Sequence, residues 1–378
     1  MKPIQMVDLR TQYEHIKADI DAGIKEVIES AAFVKGAKVT TFQHHLEQHL
    51  GVKHVIPVGN GTDALQIALM ALGLKPGDEV ITPTFTFIAT AEVVALLGLK
   101  PVVVDVDYDT FCMTPEAVER AITPHTKAIV PVNLFGQNAN LEEFQKIAKA
   151  HNLFLIEDAC QSMGSYYKFN DGSTKASGCI GDIGCTSFFP SKNLGCYGDG
   201  GALFTNNDEL AEKIRVIANH GMAVRYYHDI VGVNSRLDSI QAAVLDAKLP
   251  HLDRYIEARQ QAACFYNEAF KDCPQIITPT TASYTTHAFH QYTIKLEGVD
   301  RNKVREELAA KNIPAMIYYP VPLHLQKAYK DERYKQGDFP IAEKLCQIVL
   351  SLPMHTELDN EQLTFITETT LGIIKAMR

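Results

Sequence analysis

Val55-Ile56-Pro57-Val58-Gly59-Asn60-Gly61-Thr62-Asp63-Ala64-Leu65 reads as a short apolar strand, a glycine-rich turn and the opening of a helix. The same pattern returns along the chain. Asp78-Glu79-Val80-Ile81-Thr82 follows a Pro76-Gly77 turn, and Pro101 to Val106 is a β-branched run. Thr114-Pro115-Glu116 supplies an N-cap candidate, a first-turn proline and an acid, which together start a helix. Ala128 to Val132 and Phe154-Leu155-Ile156 are buried-strand candidates, separated by a helix around Leu141 to Ala150. Cys185 to Phe189 and Gly201 to Thr205 add two strands around a glycine-dense loop. Strands alternating with helices predict an α/β domain with a mostly parallel central sheet. Such sheets bind ligands beyond the carboxyl ends of their strands.

Outside this region the pattern changes. Thr11 to Ile28 and Val39 to Leu50 read as helices at the N-terminal end. Past Leu249 come a long helical stretch from Asp253 to Phe270, a strand from Gln291 to Leu296 and a helix from Arg301 to Lys311. A proline-studded segment, Tyr319-Pro320-Val321-Pro322-Leu323, follows. The expected organisation is a large α/β domain over residues 1–249, carrying the helical N-terminal segment, and a smaller α+β domain over 250–378.

The formal net charge is −9, with basic residues scattered rather than gathered into a stripe, so no nucleic-acid partner is expected. No apolar run is long enough to span a bilayer, and Met1 to Asp8 contains no signal-peptide core. The 8 cysteines include no C-x-x-C pair and no zinc-type spacing. Free thiols, no metal and a cytoplasmic location are the expectation.

Three motifs carry chemistry. In Gly59-Asn60-Gly61-Thr62-Asp63, glycine lets the backbone approach an anion, and the helix start presents unpaired N–H groups. Thr62 can cap that helix or offer its hydroxyl to a phosphate. An ordinary strand–turn–helix connection would look the same. Glu157-Asp158-Ala159-Cys160-Gln161-Ser162 puts an acidic pair where an apolar strand ends. A carboxylate there suits the protonated pyridine nitrogen of a pyridoxal cofactor, with Gln161 near the ring hydroxyl. An acid that ends a strand more often caps the next helix, and taken alone this motif reads that way. Ser187-Phe188-Phe189-Pro190-Ser191-Lys192-Asn193-Leu194-Gly195 sets a lysine directly after a strand, ahead of Gly198-Asp199-Gly200-Gly201. Desolvation there would free the Lys192 amine for imine formation, and Ser187 could share a phosphate with Thr62. A lone lysine is otherwise a surface residue; the combination distinguishes this one. Phe87, at a strand-to-helix junction, is placed to stack on a ring or to pack in the core.

Gly-Thr-Asp-Ala-Leu (61–65), Glu-Asp-Ala-Cys-Gln-Ser (157–162), the Ser187–Gly195 motif and Val-Asn-Ser-Arg-Leu-Asp-Ser-Ile-Gln-Ala-Ala (233–243) occur in one chain, in order. Together they resemble the nucleotide-sugar aminotransferases of the DegT family, which have the aspartate-aminotransferase fold (pyridoxal-phosphate fold type I). The likeness covers essentially the whole chain, including Tyr319 to His324 and Ser351 to His355. It implies pyridoxal 5′-phosphate bound as a Schiff base to Lys192, which would also shuttle the proton. Asp158 would pair with the pyridinium, Gln161 with the ring oxygen, and Phe87 would stack on the ring. Gly61, Thr62 and Ser187 would hold the phosphate. Asn234 would reach the phosphate of a neighbouring subunit's cofactor, making the active unit a homodimer. Arg236 would meet a carboxylate of the amino donor or of an acidic sugar, unless it pairs with Asp238. Tyr318 and Tyr319 would border the substrate.

The stretch from Asn219 to Arg236 most resembles enzymes that aminate carbon 3 of a UDP-linked 2-acetamido-3-keto uronic acid, with glutamate as donor and 2-oxoglutarate released. Those enzymes serve O-antigen and capsule synthesis. Tyr318-Tyr319, where His-Tyr is commoner, and Ala31 to Gly36 depart from the usual pattern. Amination at carbon 4 of a deoxysugar stays open, as does a non-catalytic regulator that kept the fold. A related dehydratase, which replaces the lysine with histidine, is opposed by Lys192.

Overall fold

The computed structural model describes residues 2–377, so Met1 and Arg378, the outer ends of the two expected domains, lie outside the described residues. Three helices come first: α1 (Leu9–His15), α2 (Lys17–Ser30) and α3 (Ala37–Leu50). The Asp8 carboxylate caps α1 by accepting from the Thr11 amide, and Gly51 ends α3 in the left-handed region. The alternating region follows as β1 (His54–Val58), α4 (Gly61–Ala71), β2 (Glu79–Pro83), α5 (Ala89–Leu96), β3 (Lys100–Val104), α6 (Pro115–Ala121), β4 (Thr126–Ile129), α7 (Leu141–His151) and β5 (Phe154–Asp158). A ribbon of β6 (Tyr166–Lys168) and β7 (Thr174–Ala176) precedes β8 (Ile183–Ser187) and β9 (Gly201–Thr205). Next are α8 (Asp208–Ala218), α9 (Ser239–Lys248) and α10 (Leu252–Phe270). The chain continues through β10 (Ile276–Ile277), β11 (Tyr292–Leu296), α11 (Arg301–Ala310), α12 (Pro340–Ile348), β12 (Val349–Leu352) and α13 (Asn360–Ala376).

Seven strands form one sheet in the order β1-β9-β8-β5-β4-β2-β3. The pairs β2/β3, β2/β4, β4/β5 and β5/β8 are parallel, while β9 runs antiparallel to both β8 and β1. The sheet is therefore mostly parallel, as expected, with β9 reversed. Strand ends differ by a few residues from the apolar runs. The run from Cys185 leaves the ladder after Ser187, because Ser187 pairs with Gly201, where the partner strand begins.

Helices cover both faces, and the period-2 alternation of each strand sorts its residues between them. Val80, Ala128, Ile156 and Leu203 pack with α4, α5 and α8 on one face. Ile81, Ile129 and Leu155 pack with α6 and α7 on the other, and Ala202 and Phe204 with α3 and α9. Counting on along β5, Glu157 falls on the face of Leu155 and Asp158 on that of Ile156. A second sheet, β10-β11-β12, is antiparallel and shares a core with α10, α11 and α13 around Tyr266, Tyr292, Leu350 and Ile366. Among the described residues no helix is long and apolar enough to cross a membrane.

Candidate active site

The segments that follow β1, β2, β4, β5 and β8 converge on a cavity of about 790 Å³. His290, Gln291, Tyr318 and Tyr319 close it from the C-terminal part of the chain. Gly61, Thr62, Phe87, Asp158, Gln161, Ser187, Lys192, Tyr318 and Tyr319 all line it. The structure thus gathers nearly all the residues singled out from sequence around one space.

One end of the cavity is built by α4. The cap of that helix is Asn60, whose side chain accepts from the Asp63 amide at 2.8 Å, and not Thr62. Thr62 sits inside the first turn, so its hydroxyl has no partner among the described residues and stays available to a ligand. A Cβ at Gly61 would lie 2.8 Å from the Ser187 Cβ and 2.9 Å from the Cys160 Sγ. Only glycine lets this helix start approach β8 so closely. The free amides of α4, the Thr62 hydroxyl and the Ser187 hydroxyl then face one volume, a donor set that fits a phosphate. Ser235, buried beside this turn, accepts from the Gly59 amide at 2.9 Å and donates to Asp63 at 2.6 Å, a brace that sequence reading missed.

Strand alternation separates the two acids. Asp158 turns toward α5, where it accepts from Thr90 Oγ1 at 2.8 Å and from the Cys160 amide at 3.3 Å, and it caps no helix. Glu157, 0 % exposed, turns the other way and accepts from the amides of Gly178, Ile180 and Gly181 at 2.8, 2.6 and 2.7 Å. Burial pushes its carboxyl above the usual range, and those hydrogen bonds oppose the shift. Glu157 therefore ties a loop to the sheet and does no chemistry. Glu157→Gln replaces an acceptor with a donor that faces backbone N–H groups. It should lower stability by about 2–3 kcal/mol, read as a lower midpoint in urea, with the activity of folded molecules retained.

Lys192 follows β8, and its backbone amide donates to the Phe189 carbonyl at 2.8 Å. Burial lowers its pKa, although the nearby Cys160 and Asp158 oppose the shift. Lysine and carboxylate are close enough to feel each other's charge across the cavity. Phe87 lies in the β2–α5 loop and is 54 % exposed to this space, so it is not a core residue. Its ring is 6.3 Å from that of Tyr319. Gln161 accepts from the Phe135 amide at 3.0 Å and donates to the Tyr319 hydroxyl at 3.1 Å, which fixes its orientation. Thr90, Tyr319 as the partner of Gln161, and His290 could not be found from local sequence, because each acts across the fold. Two buried wall atoms, Thr86 Oγ1 and His290 Nδ1, have no hydrogen-bond partner among the described residues. A phosphate cradle, an exposed aromatic face, a buried carboxylate and a desolvated lysine in one cavity together fit pyridoxal phosphate.

Asn234 and Arg236 are not brought to this cavity. Arg236 donates to the Asn234 side chain, not to Asp238, and both lie on the strip before α9.

A family model matches residues 14–370, that of the DegT/DnrJ/EryC1/StrS aminotransferases. The chain belongs to this family. Among its relatives, the UDP-2-acetamido-2-deoxy-3-oxo-D-glucuronate aminotransferase of Pseudomonas aeruginosa is 47% identical, over 96% of this chain and 98% of that one. A protein of Geobacillus stearothermophilus named a pleiotropic regulatory protein is 45% identical, with 97% of each chain covered. The solved structure of NtdA from Bacillus subtilis, with bound cofactor PMP, is 32% identical and superposes with a TM-score of 0.88 over 98% of this chain and 83% of that one. The DegT/DnrJ/EryC1/StrS fold is the type I fold of pyridoxal-phosphate enzymes, and the family is one of pyridoxal-phosphate-dependent sugar aminotransferases.

Proposed function

We propose that this chain transfers the amino group of glutamate to carbon 3 of a UDP-linked 2-acetamido-3-keto uronic acid, for O-antigen or capsule synthesis in the cytoplasm. The observation that carries the reading is the meeting of Lys192 and Asp158 in one cavity, beside an α4 start that offers amides and hydroxyls to a phosphate. The relative from Pseudomonas aeruginosa supports this choice of sugar.

Bound pyridoxal phosphate supplies an aldehyde for amine exchange and a ring that accepts the electron pair of a substrate carbanion. Asp158, anchored by Thr90 and the Cys160 amide, would keep the ring nitrogen protonated. Phe87 would offer its face to the cofactor ring, and Gly61, Thr62 and Ser187 would hold the phosphate. Lys192 would hold the cofactor through its Nζ. The same Nζ would take the proton from the α-carbon of glutamate. The same atom runs the reverse transfer to the keto sugar.

The active unit in this reading is a homodimer. Val224, Tyr226, Tyr227, Ile230 and Val231 form an exposed apolar stretch leading to Asn234 and Arg236. A second copy would cover such a patch. Asn234 would then serve the phosphate, and Arg236 a carboxylate, in the neighbouring site.

The regulatory name of the Geobacillus relative favours a second reading, a sensor that binds the cofactor without turnover. Purified protein, glutamate and a panel of keto sugars separate the possibilities. The expected result is 2-oxoglutarate release with amination of the UDP-3-keto uronic acid, at a kcat/KM at least about tenfold above that for 4-keto-6-deoxysugars. Preference for the 4-keto sugars overturns the carbon-3 assignment. A cofactor band that does not respond to glutamate, with no release of 2-oxoglutarate, supports the sensor.

A further inference from the structure

His290 lies in the cavity wall, 5 % exposed, on the segment that enters β11. Its ring makes no hydrogen bond among the described residues, and its Nδ1 is shut off from solvent. The backbone around it is firmly held. Arg259 Nη1 donates to the carbonyls of Phe289 and His290 at 3.1 and 3.4 Å. Asn193, the residue after Lys192, donates its Nδ2 to the Ala288 carbonyl at 3.4 Å. The histidine segment and the lysine loop are therefore tied to each other, with both side chains facing one cavity. An unpaired buried acceptor is a cost that an apolar residue of similar size would avoid.

We infer that His290 is a positioning residue, whose Nδ1 accepts a hydrogen bond from the Lys192 amine when that amine is freed and so aims it at the reacting carbon. The inference rests on the reading of Lys192 given above. Burial, together with the Lys192 and Arg259 cations, holds the imidazole well below the usual histidine range. The ring is neutral and keeps one acceptor lone pair. Asp158, the nearby carboxylate, is engaged by Thr90 and the Cys160 amide, and among the described residues the Lys192 Nζ makes no hydrogen bond, so its stem samples several rotamers. Orientation of the amine is then what the histidine supplies.

His290→Leu and His290→Asn test this in two forms of the protein. Without cofactor, His290→Leu should melt about 2 °C above wild type, because an unpaired buried nitrogen has gone. With cofactor, the same variant should lose on the order of 10- to 100-fold in the kcat of the glutamate half-reaction, with KM for glutamate unchanged. His290→Asn, which keeps an acceptor oxygen, should recover part of the rate. A wild-type kcat in His290→Leu overturns the inference. So does a cofactor-free melting point at or below wild type, which would mark a packing role, or a His290→Asn rate no better than that of His290→Leu. Lys192→Ala is run alongside. If it keeps its activity, the reading of Lys192 has failed, whatever the histidine variants do.

Discussion

Lys192→Ala should reduce amino transfer by at least about 10³-fold, with the loss in kcat rather than in KM for glutamate. One atom has two duties here, covalent attachment of the cofactor and movement of the proton. Neither can be taken over by a neighbour. Cys160, which also borders the cavity, has its thiol pushed well above the ordinary range by burial and by Asp158, so it does not supply a thiolate base. Tyr319 is likewise raised by burial and is committed to Gln161. His290 is held neutral but far below the range of an effective base near pH 7. The alanine protein should still fold, because burying the lysine opposes its charged form and its backbone bond to Phe189 is kept. Two measurements check this: release of 2-oxoglutarate, and the visible band that reports cofactor attachment. Near-normal turnover would remove the foundation of the proposed function.

Asp158→Asn should cost on the order of 10²- to 10³-fold in kcat, since an amide cannot keep the facing ring nitrogen protonated. Cofactor affinity should fall less than turnover, because the phosphate cradle is built on α4 and β8, away from this side chain. The fold should tolerate the change. Of the two donors on the carboxylate, Thr90 Oγ1 and the Cys160 amide, the asparagine oxygen can still accept one. The neighbouring substitution makes an internal control. Glu157→Gln should damage stability and spare chemistry, and Asp158→Asn the reverse. Adjacent residues on a strand face opposite sides of a sheet, so two acids in succession have unrelated functions. Equal phenotypes in unfolding and steady-state kinetics would contradict that sidedness.

Much of the fold was legible in the chain. The strand–turn–helix rhythm from Val55 to Thr205 is a local pattern, and in the fold it becomes a mostly parallel sheet. The reversed strand β9 was not legible, because strand direction depends on how a connection crosses the sheet and not on the composition of the strand. Thr62 suits the cap of α4 by its residue type, yet Asn60 takes that place. Both residue types cap well, and the choice depends on where the strand releases the chain.

What the sequence by itself determined is the chemical inventory: a lysine after a strand, a carboxylate at a strand end, and a glycine before a helix. Each lies within a short motif whose backbone shape follows from local preference. The tertiary structure alone decided which of these meet. It faced Asp158 toward Thr90 and the cavity while sending Glu157 to a loop, set Tyr319 on Gln161, and brought His290 beside Lys192. It also left Asn234 and Arg236 outside the cavity of their own chain. The physical reason is that side-chain direction follows strand alternation and long-range packing, and contacts made across that distance leave no periodic mark in the chain.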